Sequence, residues 1–315
     1  MINIRHLILL CITFMSVLLF TDQLFDGYSR LERAIWNSGH FIFFALSVWF
    51  LLTHFKLKKY NWKNMLGISL LFSFLMGSSI ELIQYFIGRD MDRGDLIADI
   101  SGGFFGFLLV SSTCLNAKKY QIRRYIYIAM GGLFFIGFYP VIYILQDNFR
   151  MQSNFPILAD FESSDELQRW DYTNIVDFRI SDNKVTRGNH SLYVEFGLAQ
   201  YPQISLQHFP SNWSKYDFLN IDIYNIQKNT INIVLKIYDR LHRDRGSNLS
   251  DRYNQVFNLK PGWNKLRVSL DDIQHAPASR LMDVNDIALV SLFLIAPEVN
   301  VSFYIDDIHL LADHD

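Results

Sequence analysis

Chemistry-capable side chains gather in one stretch of this chain. Glu81 and Gln84 lie near the end of one long apolar run, Arg89 lies in the short linker after it, and Asp95 and Asp99 lie at the start of the next run. His40 opens an earlier run. A carboxylate inside an apolar run is costly, so it marks either a functional site or a paired packing contact. Glu81 and Gln84 are three residues apart and Asp95 and Asp99 four apart, so each pair shares one helix face. The linker 88–94 is short, which predicts antiparallel neighbouring helices. Glu81 then sits one to two turns from the linker and Asp99 about one turn, at ~1.5 Å per residue, so both carboxyls lie at similar depth. Two carboxyls that close do not both ionise readily, so one holds a proton and can serve as an acid. His40 is the matching base, and Arg89 can anchor an anion. The competing account pairs the same carboxylates with Arg89, Arg93 or His40 merely to fix helix packing. No nucleophile motif or metal-ligand spacing accompanies the cluster.

The elements that must position these groups are membrane spans. The chain is 50% hydrophobic with 27 Phe and only 19% charged residues, and the apolar residues concentrate before residue 146. Five spans are expected, at 7–21, 39–55, 65–87, 96–115 and 125–145. The first follows Arg5, but Leu18 to Asp22 lacks a small-x-small cleavage pattern, so an uncleaved span is expected. Lys56, Lys58, Lys59 and Lys63 separate the second and third spans; Lys118, Lys119, Arg123 and Arg124 separate the fourth and fifth. The positive-inside rule places both loops in the cytoplasm, hence a cytoplasmic N-terminus and an extracytoplasmic C-terminal half. All the unusual polar residues then gather at the outer surface. Gly102 and Gly106 form a small-xxx-small face that permits close helix approach. Cys11 and Cys114 both fall in spans, which excludes a disulfide framework for the C-terminal half. A net charge of −2, with basic residues confined to short loops, excludes nucleic acid as a partner.

The pattern Gly39-His40-Phe41, Glu81-x-x-Gln84, Arg89, then Asp95-x-x-x-Asp99-x-x-Gly102-x-x-x-Gly106 resembles the VanZ-like membrane proteins, over roughly residues 30–115. The chain departs from that family's usual Asn at position 99, and has Trp36-Asn37-Ser38 where the family often has Asp-Lys before the His. The resemblance implies a bacterial cytoplasmic-membrane protein of the cell envelope, of a kind linked in one setting to glycopeptide resistance. Membrane lipids are its implied surroundings. It names no reaction.

Residues 146–155 read as a polar juncture, and 156–315 as a second domain. Alternating apolar residues mark strands at Leu219–Ile223, Ile231–Ile237, Leu266–Leu270 and Val301–Ile305, with a turn at Lys260-Pro261-Gly262. This predicts an all-β jelly-roll sandwich behind the α-helical transmembrane bundle. Asp160-Phe161-Glu162, Gly188-x-x-Ser191, Trp213-x-x-Tyr216, Pro261-Gly-Trp263 and Tyr304-Ile-Asp306-Asp307-Ile308 together resemble carbohydrate-binding, galactose-binding-like jelly rolls. Such folds often hold a structural Ca²⁺ between first and last strands, which the resemblance assigns to Glu162 and Asp306. Alternation slips at Asp306-Asp307, as a β-bulge would cause. Tyr201, Tyr238, Asp239, Arg243 and Tyr253 are the candidates for a saccharide platform; packing of a second sheet face is the plain alternative. His190, His208, His242, His275 and His309 show no paired ligand spacing.

The reading is an envelope membrane protein with an outward polar site and a module for an envelope glycan or lipid-linked saccharide. The competing readings are a membrane enzyme acting on a lipid-linked or glycan substrate, and a membrane-anchored scaffold that contacts another protein.

Overall fold

The computed structural model describes residues 4–18, 30–87, 93–114, 120–246 and 248–313. It forms two compact units, Met1–Gln146 and Asp147–Asp315. Among the described residues the first holds five α-helices: α1 (Ile4–Leu18), α2 (Arg30–His54), α3 (Trp62–Phe86), α4 (Arg93–Cys114) and α5 (Tyr120–Asn154), whose last turns belong to the second unit. Among the described residues, α2, α3, α4 and α5 are long and apolar enough to cross a membrane; α1, at 15 residues, is shorter. Leu71, Phe74 and Leu75 on α3 and Ile128, Phe135 and Ile136 on α5 are exposed. Such surfaces are a liability in water and ordinary against lipid.

Three helix boundaries differ from the sequence expectation for one reason. Once a helix leaves the hydrocarbon layer its backbone needs no apolar side chains, so polar flanks extend it. The segment through Arg30, Glu32 and Arg33 is helix, and His40 lies in the third turn of α2 rather than at its head. Asn61 caps α3 by accepting the Asn64 N–H at 2.9 Å. Residues expected as the polar juncture are helical as far as Asn154.

Glycine sets the packing of α2 and α4. A Cβ on Gly102 would lie 2.3 Å from the Phe41 carbonyl oxygen, and one on Gly106 would lie 2.4 Å from that of Ala45. Backbone meets backbone there, which only glycine allows. On α3, Gly77 leaves room for the Asp99 carboxylate in the same way.

The second unit is a sandwich of two antiparallel sheets. Its strands are β1 (Ile157–Ala159), β2 (Trp170–Thr173), β3 (Ile175–Ser181), β4 (Ser191–Phe196), β5 (Gln203–Leu206), β6 (Phe218–Asn225), β7 (Ile231–Asp239), β8 (Tyr253–Leu259), β9 (Gly262–Ser269), β10 (Ile287–Phe293) and β11 (Val301–Leu311). Two short helices, α6 (Arg240–Arg245) and α7 (Leu270–His275), follow β7 and β9. Leu270 thus opens α7 instead of extending the strand; Ser269 caps that helix on the Asp271 N–H. One sheet runs β3-β4-β11-β6-β9 with β1 added to β11, the other β2-β5-β10-β7-β8. Leu192, Val194, Ile221, Ile223, Phe303 and Ile305 of the first face Ile204, Ile233, Leu235, Ile237 and Leu292 of the second in one core. The register shifts between Asp306 and His309, so Ile305 and Ile308 both point inward, as the slipped alternation predicts.

Glu166 is a buried carboxyl in this unit. Its Oε2 accepts the N–H groups of Phe161 at 2.9 Å and Asp160 at 3.2 Å. Burial, and then the neighbouring Asp160 carboxyl, push it from 4.5 up to about 7. Its folded-state pKa is raised, so the folded state binds the extra proton. Stability should therefore fall as pH rises from about 4.5 to about 7, by about 3 kcal/mol, and Glu166→Gln should flatten that slope. Thermal melts of the full chain across this range check it; an equal slope in the variant would refute it.

Candidate functional site

Three helices assemble the polar cluster of the first unit. His40 comes from α2, Glu81 and Gln84 from α3, and Asp95 and Asp99 from α4; all five are buried. His40 Nδ1 lies 2.9 Å from Asp99 Oδ1 in a hydrogen bond, and its Nε2 lies 3.7 Å from Asp95 Oδ2. Asp95 and Asp99 are one turn apart, so the imidazole spans both carboxylates along one helix face. The backbone approach at Gly102 and Phe41 holds this geometry: Gly102 is three residues beyond Asp99, and Phe41 follows His40. Phe41 also packs on Phe105, Phe134 and Phe138, with centroids 5.4, 6.5 and 6.1 Å away. Arg89 lies outside the described residues.

The seam keeps unused hydrogen-bonding capacity. Asp99 Oδ2, Ser73 Oγ and Ser47 Oγ are buried and have no hydrogen-bond partner among the described residues. Asp99 Oδ2 rests in the notch left by Gly77, and Ser73 Oγ fills the place a side chain on Gly103 would take. A histidine held at one nitrogen by a carboxylate, with its other nitrogen facing a second carboxylate, can take up a proton and return it. The two serines were not singled out in the sequence. For Ser73 the signal was the four-residue spacing of Ser69, Ser73, Gly77 and Glu81, which puts these on one face of α3; Ser47, on α2, had no such signal.

Of the residues expected to bind a saccharide in the second unit, Tyr238, Asp239, Arg243 and Tyr253 lie around the end of β7, and Tyr201 lies beside Phe293 on β10. Tyr201 is half exposed and edge-on to Phe293, with centroids 6.2 Å apart. Tyr238 is partly buried on β7 and packs on His242 at 4.7 Å. Arg243 is exposed on α6 and pairs with Asp244 at 3.4 Å. Two of the five are structural. Tyr253 points inward into the core, because it opens β8 opposite the inward Ile237. Asp239, fully buried, caps α6 on the His242 N–H and accepts Arg280 and the Asp283 N–H.

Glu162 and Asp306 serve as staples for the loop between β3 and β4. Glu162 Oε1 accepts the N–H groups of Asn189 at 2.7 Å and His190 at 2.8 Å. Asp306 Oδ2 accepts Thr186 N–H at 2.6 Å and Arg187 N–H at 3.0 Å, and its Oδ1 accepts Asp307 N–H at 2.8 Å. Burial works to raise Glu162, but those N–H groups hold it below the usual carboxylate range. Burial pushes Asp306 up despite its donors. Carboxylate oxygens ringed by N–H donors do not fit a hard cation, whose ligands must present lone pairs. Among the described residues no group of three or more His, Cys, Asp or Glu could hold a metal ion.

Residues 3–115 match the VanZ/LLP1 family model. No curated protein matches the chain. Among solved structures, it is similar to an exo-β-agarase, at 14% identity and TM-score 0.40 over 50% of this chain and 25% of that one. It is also similar to a family 11 carbohydrate-binding module from Clostridium thermocellum, in complex with a β-1,3-1,4-mixed-linked tetrasaccharide, at 15% identity and TM-score 0.39 over 50% of this chain and 94% of that one. A third, a family 28 module specific for non-crystalline cellulose, shows 14% identity and TM-score 0.37 over 50% and 93%. The chain thus spans about a quarter of the agarase and nearly all of each module.

Proposed function

We propose that this chain is an integral protein of a bacterial cytoplasmic membrane, with a proton-handling site at its outer face and a sandwich that engages an envelope saccharide. The observation that carries it is His40 held between Asp99 and Asp95 inside helices of membrane-spanning character. Burial among apolar helices would exclude such groups unless they act or pair, and unpartnered Asp99 Oδ2 and Ser73 Oγ leave the cluster able to accept a further proton or hydroxyl. The basic residues between α2 and α3 and between α4 and α5 support a reading with those loops in the cytoplasm and the cluster at the opposite face. By the same count of spans the sandwich is extracytoplasmic. There, Tyr201 and Phe293, beside Lys236 and Gln203 paired at 3.0 Å, offer aromatic and polar groups to a sugar.

The family match makes glycopeptide tolerance the phenotype to test. His40→Asn and Asp99→Ala are each expected to reduce tolerance to that of cells lacking the protein, with unchanged membrane levels. Tolerance retained in both variants would return the cluster to a packing role. The same His–Asp pair favours a second reading, an enzyme acting on a lipid-linked or glycan substrate. A substrate-dependent turnover lost in His40→Asn would establish it.

A further inference from the structure

The solvent face of the sheet β3-β4-β11-β6-β9 carries a continuous row of aromatic side chains. Tyr193 on β4 is the register partner of Tyr304 on β11, which is paired in turn with Tyr224 on β6, and that with Trp263 on β9. Their sequence neighbours Leu192, Val194, Ile223, Phe303 and Ile305 are fully buried, so the four rings point outward. Adjacent centroids are 5.3, 6.3 and 5.3 Å apart from Tyr193 to Trp263. The row thus crosses four strands at an even step, perpendicular to the chain direction.

The rings alternate in what covers them. Arg179 lies over Tyr193 at 4.6 Å and Lys184 over Tyr224 at 4.7 Å. The ring contacts of Tyr304 are edge or tilted meetings with its neighbours, and Trp263 is 37% exposed. Hydrogen-bonding groups border both sides. Glu195 and Ser302, register partners of each other, lie on one side; Asp222 and Lys265, paired likewise, lie on the other. Asp222 Oδ2 is buried, faces Lys265 Nζ at 3.7 Å and has no hydrogen-bond partner among the described residues. Arg179 is held by Asp177 at 2.8 Å, which fixes its guanidinium on the Tyr193 ring.

We infer that this row is the contact surface for a linear saccharide lying across the strands, its sugar faces on Tyr304 and Trp263. This rests on the saccharide reading above and assigns that reading a surface. Arg179, Lys184 and Lys265 only donate, while Glu195 and Asp222 only accept. A chain of hydroxyls, each able to donate and accept, satisfies both sets at once; an anion satisfies only the donors, and an apolar segment satisfies neither set. The even step of the rings matches a ligand with a regular repeat rather than a single sugar.

The test is binding of the full chain, in lipid nanodiscs, to an array of linear glycans, followed by titration of the strongest binder. Trp263→Ala and Tyr304→Ala should each weaken binding about tenfold or more, as truncation of a central aromatic does at an interface. Trp263→Phe should retain most of it, and the unfolding midpoint of each variant shows whether the sandwich is intact. Undiminished binding in both alanine variants would overturn the assignment and leave the row a register-pinning ladder. Binding lost only in Tyr201→Ala would overturn it too, while leaving the saccharide reading standing. A folded wild-type chain that binds no glycan would overturn both.

Discussion

Gly102→Val is expected to abolish the folded membrane unit. The new side chain would begin 2.3 Å from the Phe41 carbonyl oxygen and 2.9 Å from the Phe41 Cα and carbonyl carbon, all backbone atoms of a facing helix. A crowded side chain can rotate away, and overpacking then costs about 1–3 kcal/mol. A backbone in the middle of a helix has no such freedom, so α2 and α4 must separate. Separation removes the hydrogen bond between His40 and Asp99, because His40 precedes Phe41 and Asp99 lies one turn from Gly102. Even Gly102→Ala should therefore lose the tolerance phenotype, whereas valine should also lose the membrane unit's melting transition in detergent and leave that of the sandwich. Gly131 and Gly132 on α5 provide the contrast, since nothing lies within 4 Å of a Cβ at either. Alanine there should be neutral or stabilising by up to about 1 kcal/mol. A Gly102→Val chain that melts like wild type would show that α2 and α4 do not meet through backbone.

Depth along the helices was legible in the sequence, and partnership between them was not. The short linker and the residue count put Glu81 and Asp99 at similar depth, but they say nothing about which face of α2 turns inward. That is settled by Gly102 and Gly106, whose missing side chains let α2 lie against their face of α4. In the sandwich, alternation marks strands and the slip at Asp306, because both are properties of one strand. It misplaces Asp239 and Tyr253, because a residue at a strand end follows what comes next: a helix cap for one, an inward register for the other. The row from Tyr193 to Trp263 escaped for a related reason. Its members lie in four strands that are distant in sequence, and only tertiary register brings them side by side.

Asp239→Ala is expected to destabilise the sandwich by about 3–5 kcal/mol, the cost of removing one partner from a buried ion pair. Arg280 bridges Asp239 and Asp251, tying the end of β7 to the turn before β8, and both carboxylates grip its guanidinium with two nitrogens. Truncation also removes the α6 cap and the acceptor of the Asp283 N–H. Asp239→Asn, which keeps the cap, should cost less. Urea unfolding of the full chain, followed by fluorescence of the sandwich tryptophans, measures both, and a cost under 1 kcal/mol for alanine would contradict this account. The pH profile tests it further. Burial acts to raise Asp239, but Arg280 and the two N–H groups hold it below the usual carboxylate range; Asp251 is held low first of all by Arg280. A depressed folded-state pKa gives stability that is full above the unfolded value of about 3.9 and is lost as pH falls through the folded one. Glu166 has the opposite sign and erodes stability from about 4.5 to about 7. The two slopes meet, so between acid and neutral pH the combined contribution of these two networks should peak near pH 4–5. Asp239→Ala should weaken the acid limb alone, and Glu166→Gln the neutral limb alone, because the two networks have no residue in common.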